Sequence, residues 1–194
     1  LLPYTTKKQK LVYLIRDPNI LQNPTIKSFE KQLIEKADVI FATSYNLTHK
    51  YIPNYYGIHP SNIHYWPNSV DLNIWDLNKV HTQKPINSTI GIAGNFNRKR
   101  TDYNLLDYIT SKMPEYQFEI AGKIDWENSY AFWNNLFKKP NVNYMGFISL
   151  ENLPESVARW NVGLITDKMN EYSFYMHHNK VYQYLALGLP VVSL

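Results

Sequence analysis

Lys180 stands near the start of the run HHNKVYQYLALGLPVVSL, residues 177–194. Val181, Tyr184, Leu185 and Leu187 fall near one face of a helix expected over 179–187 and stopped by Gly188. A lysine at that end gains nothing from the helix macrodipole. An anion held there gains from the charge and from the free N–H groups of the first turn, for which Asn179 is the candidate cap. The ligand this favours is a diphosphate. A second basic stretch, Gly94-Asn95-Phe96-Asn97-Arg98-Lys99-Arg100, follows a short apolar run. There Gly94 lets backbone approach a ligand and Arg98 or Lys99 could neutralise phosphate, although three basic residues in a loop also read as a solvated surface. The adjacent His177 and His178 point in different directions and have no carboxylate pair at ligand spacing beside them, so no metal is expected. Asp125-Trp126-Glu127 reads as a helix cap; Arg16 and Asp17 end a strand and could face the cleft, while a turn role for Asp17 reads at least as well.

Such residues work only if a fold gathers strand ends and helix starts in one place. The pattern predicts strands at 11–15, 38–43 and 62–67, with a helix over 26–37 and another capped by Ser44 that carries Leu47, Tyr51 and Ile52. A polar tract at 72–88, containing Lys84-Pro85, reads as a linker. A second series then alternates strands at 89–93, 116–121, 142–145, 162–165 and 189–192 with helices at 102–113, 127–137, 149–158 and 179–187. Residues 94–100 are expected as the first strand-to-helix loop. Strands alternating with helices of about ten residues imply right-handed crossovers and a parallel sheet. The last strand is apolar enough to be covered on both faces. The fold class is α/β, with two Rossmann-like parallel-sheet domains.

Composition narrows the function classes. The 194 residues are 44% hydrophobic and 19% charged, ordinary for a globular protein, and the net charge is +4. Basic residues are scattered apart from Lys7 to Lys10 and Arg98 to Arg100, so nucleic acid is not an expected partner. The charge fits acidic ligands or peripheral contact with an anionic membrane surface. With no cysteine, disulfides and thiol catalysis are excluded. The 16 tyrosines and five tryptophans suit sugar stacking or packing, and packing is the simpler reading.

Lys180, Tyr184, Leu185, Ala186, Gly188, Pro190, Val191 and Val192 resemble the donor-site signature of GT-B glycosyltransferases of the family 1, RfaB-like kind: P-x-K, an apolar position, x, then E-Y-L-A-x-G-x-P-V-V. His178 stands where the proline is usual and Gln183 where the glutamate is usual. Glu30, Ala37, Asp38 and Ser44 match the end of an amino-terminal GT-B domain, and Asn68-Ser69-Val70-Asp71 resembles its closing turn with Ser69 in place of glycine. The resemblance implies a GT-B fold with the first domain incomplete: 1–71 the end of the acceptor-side domain, 72–88 the linker, 89–194 the nucleotide-sugar-binding domain cut short. The chain would then be an internal segment or a reduced form.

It further implies transfer of a sugar from a nucleotide-diphosphate sugar to a glycan or lipid-linked acceptor, in cell-surface polysaccharide biosynthesis. That reaction would retain anomeric configuration, need no metal or other cofactor, and run in the cytoplasm or at the inner face of the plasma membrane. Donor-binding positions would be Gly94, Asn95, Arg98, Lys99, Asn179, Lys180 and Gln183, the last facing ribose hydroxyls. Glu171, on the loop entering the last helix, would substitute for a missing sugar-binding glutamate whose place Tyr175 takes. No nucleophile or base is assigned. Two rivals share the pocket: a nucleotide-sugar epimerase and a non-catalytic binding or scaffold domain.

Overall fold

A computed structural model describes residues 9–80 and 88–193. Lys7 and Lys8 of the basic run, Lys84-Pro85 of the expected linker and Leu194 lie outside the described residues. In chain order the elements are β1 (Val12–Ile15), α1 (Asn19–Gln22), α2 (Lys27–Lys36), β2 (Val39–Ala42), α3 (Ile52–Tyr56), β3 (Ile63–Tyr65), β4 (Thr89–Phe96) and α4 (Tyr103–Lys112). They continue with β5 (Gln117–Ile124), α5 (Trp126–Leu136), β6 (Val142–Gly146), α6 (Leu153–Ala158), β7 (Val162–Ile165), α7 (Glu171–Tyr175), α8 (Asn179–Ala186) and β8 (Val191–Ser193). The strands form two parallel sheets, β1-β2-β3 and β6-β5-β4-β7-β8, as the α/β reading expects.

Two compact units result. One holds the chain through Asn68 together with Asn170–His178, and the other holds Ser69–Met169 with Asn179–Leu194. In the first unit, Ile15, Ile34, Ile40, Leu47, Tyr51 and Ile52 make the core. Ser44 caps the helical turn after β2 as expected, its Oγ accepting from the Leu47 N–H at 3.0 Å. That turn begins as a wide helical segment, Leu47–Tyr51, before tightening into α3. The sequence puts Glu171 on the loop entering the last helix of the second domain. Instead α7 packs its Tyr175 against Tyr51, while the Ser44 hydroxyl and the Asn46 amide donate to the carbonyls of Tyr175 and Phe174, both at 2.7 Å. An aromatic side chain and two backbone acceptors satisfied by this unit outweigh sequence adjacency to the other.

The second unit departs from expectation in four places. Trp75, in the tract read as linker, is buried in a core with Trp160, Tyr184, Leu187 and Leu189. Burying an indole removes more apolar surface from water than the polar residues around it lose. Strand β4 runs on to Phe96, pairing with β5 throughout its length, so Gly94 and Asn95 are strand residues and not loop. Phe96 anchors that extension against Trp133. Strand β8 lies at the sheet edge with β7 as its neighbour, and Val192 is 52% exposed, so the strand is not covered on both faces. Leu185, expected on the buried face of α8, is 56% exposed.

Local signals otherwise held. Asp102 and Asp125 cap α4 and α5 by accepting from the N–H groups of Leu105 and Asn128. Gly188 ends α8 in the left-handed region at φ 66°, and the N–H groups of Gly188 and Leu189 return to the carbonyls of Leu185 and Tyr184. Among the described residues no non-glycine has a positive φ, so Ser69 turns the chain without a left-handed residue. No described helix is long and apolar enough to cross a membrane.

Candidate functional site

The site is built where the second sheet reverses its winding. From β4 the chain steps outward through β5 to β6, then returns to lay β7 on the other flank of β4. Strands β4 and β7 pair only at Ile90 with Val162 and Gly91 with Gly163, and no pairing is recorded further along. Parting strands at a reversal leave a crevice beyond their carboxyl ends, where ligands of doubly wound folds bind.

Helix α8 is pinned into that opening by one side chain. Fully buried Tyr184 donates no ladder bond, but its hydroxyl accepts from the Ala93 N–H at 3.0 Å, an amide that β7 does not take. Its ring occupies the space a side chain at residue 163 would need: a Cβ on Gly163 would lie 2.3 Å from the ring. The ring meets Trp160 edge to face, and the Trp160 indole N–H donates to Glu119 at 2.8 Å. Burial pushes the Tyr184 hydroxyl well above the ordinary phenol range, with the Ala93 amide pulling the other way. Tyr184→Phe should keep the packing and orphan the Ala93 N–H, costing about 1–3 kcal/mol in chemical denaturation. A loss below about 0.3 kcal/mol would show that water replaces the hydroxyl.

With α8 so placed, Lys180 reaches across the strand end. Its ammonium and Cε lie 2.7 and 2.9 Å from where a Cβ on Gly94 would stand, so Gly94 is the residue that admits the lysine. Gly94 pairs with Gly122 on β5, and a Cβ on Gly122, whose φ is +141°, would fall 1.8 Å from the Gly94 carbonyl oxygen. Two side-chain-free positions thus open the strand end. Burial holds the Lys180 ammonium below the usual lysine range; the Asp167 carboxylate opposes this and Arg100 reinforces it.

The loops after β4 and β7 are tied together. The Asp102 N–H donates to the Thr166 carbonyl at 2.8 Å, the Lys168 N–H to Arg100 and the Lys168 ammonium to Arg98, both at 2.6 Å, and Thr101 bridges Asp167. Arg100 pairs with Asp167 at 3.5 Å.

The expected site residues therefore separate. Gly94 and Lys180 come together. Gln183 follows Lys180 by nearly one turn of the same helix, and Asn179 is that helix's first residue, which leaves the position before it to His178. Asn95 is exposed and sits beside Lys123 in the ladder. Arg98 lies exposed over the Tyr103 ring at 5.8 Å and Lys99 is exposed. The loop cation whose charge acts on Lys180 is Arg100, one residue beyond the pair singled out by sequence. What distinguishes it is its ion pair with Asp167 in the β7 loop, beside the antiparallel bridge of Thr101 to Asp167, and no sequence signal announces that. Glu171 belongs to the first unit, where its carboxylate accepts from the Tyr55 hydroxyl.

No family model matches the chain. Its fold is that of the GT-B glycosyltransferases, and its sequence resembles theirs. Over 173 residues it is 25% identical to a protein of Bacillus subtilis (strain 168) named as a teichuronic acid biosynthesis glycosyltransferase, TuaH, a match covering 87% of this chain and 43% of that one. Among solved structures it superposes on Anabaena Alr3699/HepE in complex with UDP with a TM-score of 0.74 at 15% identity, covering 96% of this chain and 53% of that one. WaaG, a glycosyltransferase involved in lipopolysaccharide biosynthesis, gives 0.69 at 11% identity, covering 94% and 56%. The chain thus spans about half the length of the proteins it matches.

Proposed function

We propose that this chain holds the donor site of a glycosyltransferase that moves a sugar from a nucleoside-diphosphate sugar to a glycan or lipid-linked acceptor. The observation that carries the reading is the Lys180 ammonium seated over Gly94 at the opening between β4 and β7, beside the start of α8. As the bond between the anomeric carbon and the β-phosphate oxygen breaks, charge gathers on that oxygen, and Lys180, Arg100 and the first-turn N–H groups of α8 meet it without a metal ion. As that bond breaks, the acceptor hydroxyl oxygen takes the anomeric carbon with retention of configuration and its proton passes to the departing diphosphate. Gln183, nearly one turn after Lys180 on α8, would hydrogen-bond ribose hydroxyls through its amide.

The HepE structures hold UDP, UDP with glucose and UDP-glucose, which makes uridine nucleotides the first donors to try. A relative named for teichuronic acid and a neighbour involved in lipopolysaccharide biosynthesis support a role in cell-surface polysaccharide assembly, in the cytoplasm or at the inner membrane face. Calorimetric titration of the full chain with UDP should give saturable heat that persists in EDTA. If UDP, GDP and dTDP all fail to saturate, the donor site is not there. Mass spectrometry of incubations with UDP-sugars and oligosaccharide acceptors then reads transfer directly.

A further inference from the structure

A carboxylate beside two cations is an odd neighbour for an anion-binding opening. Asp167 pairs with Arg100 at 3.5 Å with its side chain only 15% exposed, and its charge favours the protonated form of Lys180. Its backbone is fixed on both sides, by the bridge to Thr101, by the Asp102 N–H to Thr166 and by the Lys168 N–H to Arg100. Its main chain is therefore held in place beside Arg100. We propose that Asp167 is a built-in counter-anion that weakens the hold of Lys180 and Arg100 on a nucleoside diphosphate, so that the product of transfer leaves. The inference rests on the donor-site reading above and adds a residue which that reading did not require.

The physics acts in both states. In the free protein the carboxylate offsets the repulsion of two neighbouring cations and makes that state more favourable. In the complex the same carboxylate opposes the phosphates that Arg100 and Lys180 would hold, because like charges repel. Both effects reduce affinity, and both vanish if the carboxylate becomes an amide of the same shape. The effect should also scale with ligand charge.

The test is Asp167→Asn, titrated with UDP, UMP and uridine beside the wild type. UDP should bind on the order of tenfold more tightly in the variant, UMP by a smaller factor and uridine unchanged. The salt dependence of UDP binding should steepen as well. Asp167→Ser, which keeps no charge and less of the shape, should move UDP in the same direction and serves if the amide variant folds poorly. UDP affinity that is unchanged or weaker in the variants, or a gain shared equally by uridine, overturns the proposal while leaving the donor site standing. Failure of wild type and variants alike to bind UDP removes the donor site and the proposal with it.

Discussion

Lys180→Met should abolish saturable UDP binding, a loss of at least about a hundredfold, while the protein stays folded and melts no lower than the wild type. The two readouts move apart because a charge held for a ligand does not serve the fold. The ammonium lies close over Gly94, burial depresses its pKa below the usual 10.5, and among the described residues no salt bridge to Lys180 offsets that cost. Methionine fills a similar volume without desolvating a charge.

The pH dependence follows with a definite sign. A lysine whose folded pKa is lowered binds fewer protons folded than unfolded between that pKa and about 10.4, so wild-type stability should rise with pH across this window. The variant should lack that rise, as thermal melts from pH 7 to pH 10 would show. A variant that unfolds easily, or that binds UDP as tightly as the wild type, would contradict the assignment of Lys180.

Glu30→Ala should destabilise the first unit by roughly 3 kcal/mol, a large fraction of what holds a small domain together. Glu30 is 1% exposed, and no cation pairs with it among the described contacts. Its Oε1 accepts from the Tyr13 hydroxyl at 2.6 Å and the Asn19 amide at 3.5 Å; its Oε2 accepts from Tyr51 at 2.9 Å and from Tyr56. Tyr51 in turn accepts from the Ile20 N–H at 3.1 Å. One side chain on α2 thus ties down β1, α1 and the helical segment ending in α3. Its removal returns the desolvation of one carboxylate but leaves three hydroxyls facing a cavity. Glu30→Gln should cost less, because the amide still accepts and the hydroxyls can turn to accept from it.

Burial first, and the Glu30 carboxylate next for Tyr13 and Tyr56, push these hydroxyls far above their usual pKa of 10.0. Burial does the same for Tyr51. Groups with raised folded pKa contribute stability below pH 10 that is lost above it, so the wild type should unfold steeply in that alkaline range. Denaturation of Glu30→Ala coinciding with the wild type would show that the hub is dispensable.

Sequence by itself determined the alternation of strand and helix, the caps at Ser44 and Asp125, the stop at Gly188 and the lysine at the start of α8. These are decided by a few neighbouring residues: apolar periodicity, a side-chain oxygen within three positions, a residue free to take φ of 66°. Tertiary structure alone decided that β4 runs through Gly94 to Phe96, because the ladder with β5 and the Trp133 ring extend it. Only the fold could move Trp75 out of the linker into a core, or carry Asn170–His178 to the first unit, since burial of an aromatic ring depends on what surrounds it. Above all, the fold chose Arg100 over Arg98 and Lys99. Three adjacent basic residues are equivalent as text, and only the pairing of the loops after β4 and β7 sets one of them, Arg100, against Asp167.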